Sequence, residues 1–407
     1  MTKYLQNKRV TKIKNEFKKL TSPDFFTLSL VGILTISGLI WILNASAVIS
    51  DNLGYFYYFQ RQSIFVLVGA ILAYIAYKYF NLIHKHFKYI LLFTIILLIL
   101  VLIPGISKEV NGANRWIKLG FFDIQPTEFA KLAIIIYIAS ILAKFSQKIS
   151  LIKFSSFSER IKYHFIELWL PFSLIISVFS VLILLQKDLG SVIVIGITAI
   201  LMFFTSLKSA ENKLFIVGMI CLLIIGSYAS IFSYAYRQDR FSIYKELFVY
   251  GNLEHMDQED RLGKGYQLEQ ILIAIGSGGW SGTGFTNSKQ KYFYLVDQTS
   301  YTDTIFAVIA EETGLIGAGI YTLLFLLIIL RGMKISSHIH EPAYRNIAYG
   351  IIYMIGVQSL FNICANLSIV PLKGLTLPFL SYGGSSIISL LISIGIYTKL
   401  SKYRDLE

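Results

Sequence analysis

The sequence predicts an all-α integral membrane protein of about ten transmembrane helices, with both termini cytoplasmic and one large extracellular or periplasmic loop between spans seven and eight. Three observations predict it. Of 407 residues, 55% are hydrophobic and only 15% charged, with a mean hydropathy of +0.62, whereas soluble domains carry about 25% charged residues. Apolar runs near 20 residues recur along the chain, the length a helix needs to cross a hydrocarbon core of about 30 Å. Lys and Arg gather on alternate connections. With the N-terminus inside, the inner segments hold 23 of the 37, as expected for basic residues retained on the cytoplasmic side.

Residues 1–24 form a basic cytoplasmic tail (Lys3, Lys8, Arg9, Lys12, Lys14, Lys18, Lys19). The tail leads into a full-length span with no small-residue cleavage pattern, so the first helix is read as uncleaved. Its charges give a weak attraction to anionic headgroups. Spans lie near 25–46, 62–80, 87–104, 128–145, 168–185, 189–206, 213–233, 304–331, 344–367 and 379–400. Spans five and six are separated only by a tight turn at Gln186-Lys187-Asp188, and span eight opens on acidic residues. Residues 25–400 form a single membrane domain with its outer loop at 234–303, and 401–407 form a cytoplasmic tail. Cys221 and Cys364 fall in spans as small apolar packing residues, and no disulfide or metal framework is visible. The net charge of +13 follows from topology. A nucleic-acid partner would need a basic face on a soluble domain, which the pattern excludes.

Four polar clusters interrupt this apolar frame. Loop 105–127 carries Asn111-Gly112-Ala113-Asn114-Arg115-Trp116-Ile117-Lys118, then Pro126-Thr127-Glu128 at the mouth of span four. The latter reads as a helix start, with Thr127 capping and Glu128 complementing the positive helix terminus. Arg115, Trp116 and Lys118 read either as interfacial anchors or as a site for a phosphate-bearing lipid. In the second cluster, Gln186 to Gly190, Asp188 is a candidate cap for span six. The third joins Arg240 and Gln267 to a Gly-rich apolar stretch, Ile271 to Gly284, too short for a span. A re-entrant or interfacial helix there needs protein or a cavity to cover its backbone. The fourth, Lys373-Gly374-Leu375-Thr376-Leu377-Pro378-Phe379-Leu380-Ser381-Tyr382-Gly383-Gly384-Ser385-Ser386, sets a lone Lys at a Pro-broken, small-residue helix start. Between clusters three and four, Asn287-Ser288-Lys289-Gln290-Lys291-Tyr292-Phe293-Tyr294-Leu295 leads to Thr302-Asp303-Thr304-Ile305-Phe306-Ala307 and then Glu311-Glu312. Ionised groups at mid-membrane cost at least about 2.5–3.5 kcal/mol, so acids there face a cavity, a partner or a substrate.

Together these strings resemble the shape, elongation, division and sporulation (SEDS) family of bacterial cell-wall glycosyltransferases, from about residue 25 to 400. The strings at 287–295 and 373–386 are more similar to the division member, FtsW, than to the elongation member, RodA. The resemblance implies ten spans and polymerisation of lipid II into glycan strands on the outer face of the bacterial cytoplasmic (inner) membrane, at the septum. The growing glycan stays linked to undecaprenyl pyrophosphate. The expected partners are a class B penicillin-binding protein, a single-span transpeptidase packing against spans eight and nine, and division proteins. The family's essential aspartate falls on Asp303, with Tyr301 where His is usual and Thr304 in place of Phe. Lys187 replaces the proline of the family's Pro-Asp-x-Gly turn, and Leu372 stands where Thr often precedes the Lys-Gly.

A sugar hydroxyl attacking an anomeric carbon that bears pyrophosphate needs a base and positive charge for the leaving phosphates, but no acid to protonate them. A glycoside hydrolase needs that second carboxyl. Asp303 is the expected base. Arg115, Trp116, Lys118, Arg240, Lys289, Lys291 and Lys373 are the candidate substrate and pyrophosphate contacts, with Glu128, Asp188, Gln267, Glu311, Glu312 and Ser385 in support. No cofactor is specified; a divalent cation could share the charge, though no ligand cluster marks one. Two other functions use the same residues: a lipid II flippase employing Glu311 and Glu312, and a non-catalytic division or shape scaffold.

Overall fold

The computed structural model describes residues 21–47, 54–110, 113–120, 122–207, 209–232, 235–250, 265–293, 300–371 and 374–404. Among the described residues, three helices come first, α1 (Phe25–Ser46), α2 (Tyr57–Lys85) and α3 (Phe87–Leu100). A small antiparallel sheet follows, ordered β1 (Ser107–Val110), β2 (Ala113–Lys118), β3 (Asp123–Ile124). Then come α4 (Pro126–Ile149), α5 (Phe157–His164), α6 (Leu170–Leu185), α7 (Leu189–Ser206) and α8 (Ala210–Phe232). Among the described residues, the stretch expected as the outer loop holds three helices, α9 (Ala235–Tyr250), α10 (Tyr266–Gly278) and the short α11 (Gln290–Phe293). The chain ends with α12 (Ile305–Ser337), α13 (Pro342–Asn366) and α14 (Gly384–Leu400).

Among the described residues, nine helical segments are long and apolar enough to cross a membrane. The third expected span is the exception: α3 has 14 residues, about 21 Å at 1.5 Å per residue. Pro104 and Gly105 close the apolar run there, and Gly105 takes φ +90°, which a helix cannot continue through. The fifth span begins earlier than expected. Residues 157–185 run as one helical segment through a π-turn at Phe165–Trp169.

Helices α4, α7, α13 and α14 are buried around much of their circumference, while α2 and α8 expose most of theirs. Without a solvent-driven hydrophobic effect between helices in lipid, close approach does the packing. A Cβ added at Gly350 of α13 would sit 2.5 Å from Ile135 of α4, and one at Gly395 of α14 would sit 2.2 Å from the Ala73 carbonyl oxygen of α2. The two ends of the described chain are fastened together. Thr21 N–H donates to the Lys402 carbonyl (3.0 Å). Buried Asp24 accepts from Thr27 Oγ1 (2.6 Å) and Tyr397 Oη (3.1 Å) and meets Arg331 Nε at 3.5 Å.

α12 contains a break that the hydropathy pattern does not announce. Gly314 takes φ +66°, ψ −167°, interrupting the ladder of i to i−4 bonds. The segment after α10 supplies the missing partners: Thr283 and Gly284 N–H donate to the Glu311 and Glu312 carbonyls (3.0 and 3.1 Å), and Leu315 and Ile316 N–H donate to the Gly279 and Trp280 carbonyls (2.9 and 3.2 Å). Irregular backbone is tolerated at this depth because protein satisfies it. The exchange requires glycine on both sides, since a Cβ at Gly282 would lie 2.1 Å from the Glu312 carbonyl oxygen and one at Gly314 would lie 2.4 Å from Gly282 N. The stretch expected as a re-entrant or interfacial helix, Ile271 to Gly284, is helical only up to Gly278, the end of α10, and irregular from Gly279 on.

Candidate active site

Three of the four polar clusters converge at one end of the helices. Asp303, half-buried, stands just ahead of α12. Its main-chain carbonyl accepts from Asn362 Nδ2 (2.9 Å) and Asn366 Nδ2 (3.1 Å), both from the last turns of α13. Asn362 Nδ2 also donates to the Leu375 carbonyl (2.6 Å), so one amide pins the acid-bearing turn to the segment at 374–377. Arg115 arrives from β2. Its Nη2 donates to the Lys187 carbonyl (2.7 Å) in the α6–α7 turn, and its Nε is buried without a partner. A methyl built on Gly374 would sit 3.1 Å from Asp303 Oδ2 and 3.8 Å from Arg115 Nη1. The carboxylate and the guanidinium thus face the same point, and glycine leaves that point open.

The α6–α7 turn explains the departure at Lys187. This residue takes φ +60°, a value closed to proline, whose ring holds φ near −65°. Asp188 next to it is the cap of α7, accepting from Ser191 N–H (3.1 Å) and Ser191 Oγ (2.7 Å). A further contact closes the turn onto the site, because a Cβ at Gly190 would lie 3.0 Å from Leu375.

Beneath Asp303 and Arg115 lies a buried polar chain. Glu128 pairs with Lys131 (2.9 Å), Lys131 Nζ donates to Gln358 Oε1 (2.7 Å), and Gln358 Nε2 donates to the Thr376 carbonyl (3.0 Å). Thr376 Oγ1 meets Ser386 Oγ at 2.9 Å, and Ser389 Oγ donates to the Glu128 carbonyl (2.7 Å). Ser385 Oγ accepts from Gln125 N–H (2.9 Å), tying the start of α14 to that of α4. The cap of α4 is Gln125 with Pro126 in the first turn. The expectation that Thr127 caps it is corrected: Thr127 is already helical and its hydroxyl is buried without a partner.

Reading the sequence left out Lys131, Gln358, Asn362, Asn366 and Thr376. Two signals were present. Gln358, Asn362 and Asn366 recur every fourth residue in an apolar span, which stacks them on one helix face, and Lys131 follows Glu128 by three, which makes the two neighbours on a helix.

Several expected site residues lie elsewhere. Strand alternation puts Arg115 on the face of buried Ala113 and Ile117, whereas half-buried Trp116 and exposed Lys118 lie on the other, so these three do not act as one cation–aromatic set. Lys291 is fully buried and paired with Glu312 (2.6 Å); its ammonium also donates to Asn44 of α1, whose Nδ2 donates to Glu312 Oε2 (2.5 Å). A cation so enclosed corrects its expected place among the pyrophosphate contacts. Glu311 accepts from Ser288 Oγ (2.5 Å) and Lys289 N–H (2.8 Å), and Glu312 from Thr286 N–H (2.8 Å). Both acids, on the turn before the α12 break, clamp the 286–291 segment. Lys289 keeps an exposed side chain. Gln267 lies in the first turn of α10, which leads to the α12 break. Lys373 falls outside the described residues, as does the side chain of Arg240. Among the described residues, no group of three or more His, Cys, Asp or Glu could hold a metal ion.

Next to the site, Tyr58, Tyr301 and Tyr382 pack ring to ring (4.5 to 5.5 Å between centroids). Tyr382 N–H donates to the Tyr301 carbonyl (2.8 Å). Burial raises the pKa of the Tyr301 hydroxyl above its ordinary value, so it stays neutral at physiological pH.

The family model describing the FtsW/RodA/SpoVE cell cycle proteins matches residues 25–406. The chain belongs to that family. Similar relatives span nearly its whole length. A probable peptidoglycan glycosyltransferase FtsW of Geobacter sulfurreducens is 34% identical over 390 residues, covering 94% of this chain and 96% of the relative. A protein of the same description from Coxiella burnetii is 36% identical over 384 residues, covering 92% and 94%. Stage V sporulation protein E of Bacillus subtilis is 34% identical over 388 residues, covering 95% and 98%. Among solved structures, the fold is shared with the rod shape determining protein RodA of Thermus thermophilus (TM-score 0.64, 23% identity, 95% of this chain and 98% of that one). It is also shared with a chain of a peptidoglycan synthase complex described as coordinating polymerization and crosslinking (TM-score 0.71, 24% identity, 95% and 99%). The chain is a multi-pass membrane protein of this family, mostly helical, with a RodA-like fold.

Proposed function

We propose that this protein is a peptidoglycan glycosyltransferase that polymerises lipid II into glycan strands on the outer face of the bacterial inner membrane during division. The observation that carries the reading is the open point above Gly374, faced by both the Asp303 carboxylate and the Arg115 guanidinium. Arg115 is anchored at one edge by the Lys187 carbonyl and keeps a buried Nε donor without a partner. A buried donor without a partner is uncommon in folded proteins and suits a ligand oxygen.

In the proposed reaction, Asp303 accepts the proton of an acceptor sugar hydroxyl as that oxygen bonds to the donor's anomeric carbon. The bond from that carbon to the pyrophosphate oxygen breaks, and undecaprenyl pyrophosphate leaves with its electron pair. Arg115 stabilises the charge that gathers on the phosphates, and such pre-placed charge supplies much of an active site's rate enhancement. Lys373, adjacent in sequence to Gly374, is proposed as the second cation. A divalent cation carried in on the pyrophosphate would add to them.

Both termini are placed in the cytoplasm on the distribution of basic residues. The partner is proposed to be a class B penicillin-binding protein, and the exposed stripe Ile316, Ile320, Leu323, Leu326 and Leu330 on α12 is the surface proposed for its single span. α13 is mostly buried, with Leu360 its main exposed contribution, so the expected seat across spans eight and nine reduces to α12 and the end of α13.

Fluorescent lipid II supplied to purified protein in detergent tests the activity, since a polymerase makes long glycan without a membrane gradient and a flippase or scaffold makes none. Asp303→Asn is expected to abolish the product while the protein elutes and melts as wild type. Undiminished polymerisation by that variant moves the base elsewhere.

A further inference from the structure

At the opposite end of the helices lies a cavity of about 490 Å³, between the C-terminal ends of α4, α7 and α12 and the first turns of α8 and α13. It is within the range of small-molecule sites, about 300–1,000 Å³. Its walls include Ser146, Ser206, Ser209, Asn212, Tyr349 and Arg345. Arg345 and Asn362 both lie on α13, seventeen residues apart, which separates cavity and Asp303 by about 25 Å along the helix. That is close to the thickness of a hydrocarbon core.

The cavity's charge is one-sided. Arg345 is half-buried, and among the described residues no carboxylate lies within ion-pairing distance of it. The nearby acid Glu211 is already paired with Arg160 (3.3 Å). The neutral polar groups are partly committed: Asn212 accepts from Trp169 Nε1 (3.1 Å) and donates to Ser209 Oγ (2.8 Å), while Ser206 Oγ donates to Asn346 Oδ1 (3.0 Å). These bonds hold the wall in shape around a guanidinium that has no internal anion.

We propose that this cavity binds the phosphate of a polar headgroup, with Arg345 gripping two phosphate oxygens and the serine hydroxyls completing the contacts. A planar guanidinium matches phosphate oxygens in a bidentate way, and basic pockets between helices on the cytoplasmic side of a membrane bind anionic headgroups. The same chemistry would take a phospholipid from the adjoining leaflet or free phosphate from the aqueous phase. The inference is independent of the glycosyltransferase reading.

The test is native mass spectrometry of the full-length protein in detergent, with phosphatidylglycerol titrated against diacylglycerol, which has the same tails and no phosphate. Phosphatidylglycerol is expected to be retained at least tenfold more tightly. Arg345→Gln should erase that preference, Arg345→Lys should keep part of it, and the exposed-loop variant Lys153→Gln should keep all of it. Ser146→Phe, which fills the cavity without removing charge, should also erase it, so the proposal stays testable if Arg345→Gln folds poorly. Displacement of phosphatidylglycerol by millimolar inorganic phosphate identifies the phosphate alone as the recognised group; retention in its presence identifies the lipid. Equal retention of the two lipids by the wild type, or an undiminished preference in both Arg345→Gln and Ser146→Phe, overturns the proposal.

Discussion

At the scale of single residues, the candidate site rests on side chains that hold backbone rather than on those that face substrate. Asn362 donates to two carbonyls, those of Asp303 and Leu375. Asn362→Leu leaves both without that donor, an expected loss of about 1–3 kcal/mol. The same change frees the Asp303 turn from the 374–377 segment. Polymerisation by Asn362→Leu should therefore fall by more than tenfold while lipid II binding falls less, and a lipid II titration against initial rate separates the two. Arg115→Lys tests the guanidinium. An ammonium lacks the planar fork with which a guanidinium can hold the Lys187 carbonyl at one edge and phosphate oxygens with its remaining donors, so the rate is expected to drop toward that of Arg115→Ala. In the double variant with Lys373→Ala, the loss should be smaller than the sum of the singles if both act on one pyrophosphate. Strictly additive losses would assign Lys373 to anchoring.

At the scale of elements, α12 behaves as two helices joined at Gly314 and spliced by the segment after α10. Gly314→Ala must place a side chain at φ +66° and against Gly282 N, 2.4 Å from the new Cβ. Backbone strain alone costs about 1–3 kcal/mol, and the clash adds to it, so a lowered apparent melting temperature in detergent is expected. The Lys291–Glu312 pair clamps the loop to both α1 and α12. Removing one partner leaves a buried charge and costs about 3–5 kcal/mol, whereas replacing both with apolar residues is far milder. Accordingly, Lys291→Met should lower thermal stability more than Lys291→Met combined with Glu312→Leu. A double variant as unstable as the single would mean that Glu312's bonds to Asn44 and Thr286 hold the loop without the lysine.

At the scale of the whole molecule, the proposed orientation places Asp303 and the small sheet outside and the Arg345 cavity inside. With Cys221 and Cys364 replaced by alanine, Lys108→Cys should react with a membrane-impermeant maleimide on intact cells. Lys153→Cys should react only after permeabilisation. Reversed labelling inverts the protein and removes the extracellular substrate. Photo-crosslinkers at Leu323, Leu326 and Leu330 should capture a single-span partner in cells, and the buried positions of α13 should capture none.

What the sequence determined by itself was carried by local pattern. Apolar runs of the right length specify helices that lipid can accept, so nine of the ten expected spans correspond, among the described residues, to helical segments long and apolar enough to cross a membrane. Turn chemistry around Gln186 and Asp188 marked one tight connection. The ordered strings around Asp303 and Gly374 marked the family, because they are long enough to be matched without knowing where they lie in space. Four facts belong to the tertiary structure alone. Lys289 and Lys291 look alike in sequence, yet Lys291 is buried because Glu312 and Asn44, on two other helices, offer it oxygens. Arg115 and Lys118 look alike as loop cations, yet strand pleat sends only Arg115 toward Asp303. The break in α12 is invisible to hydropathy, since its satisfied bonds come from residues some thirty positions earlier. The four-residue ladder of Gln358, Asn362 and Asn366 acquires its meaning only when α13 turns that face to Asp303, because the register of helices against one another is set by close packing at positions such as Gly350, which no single stretch of sequence contains.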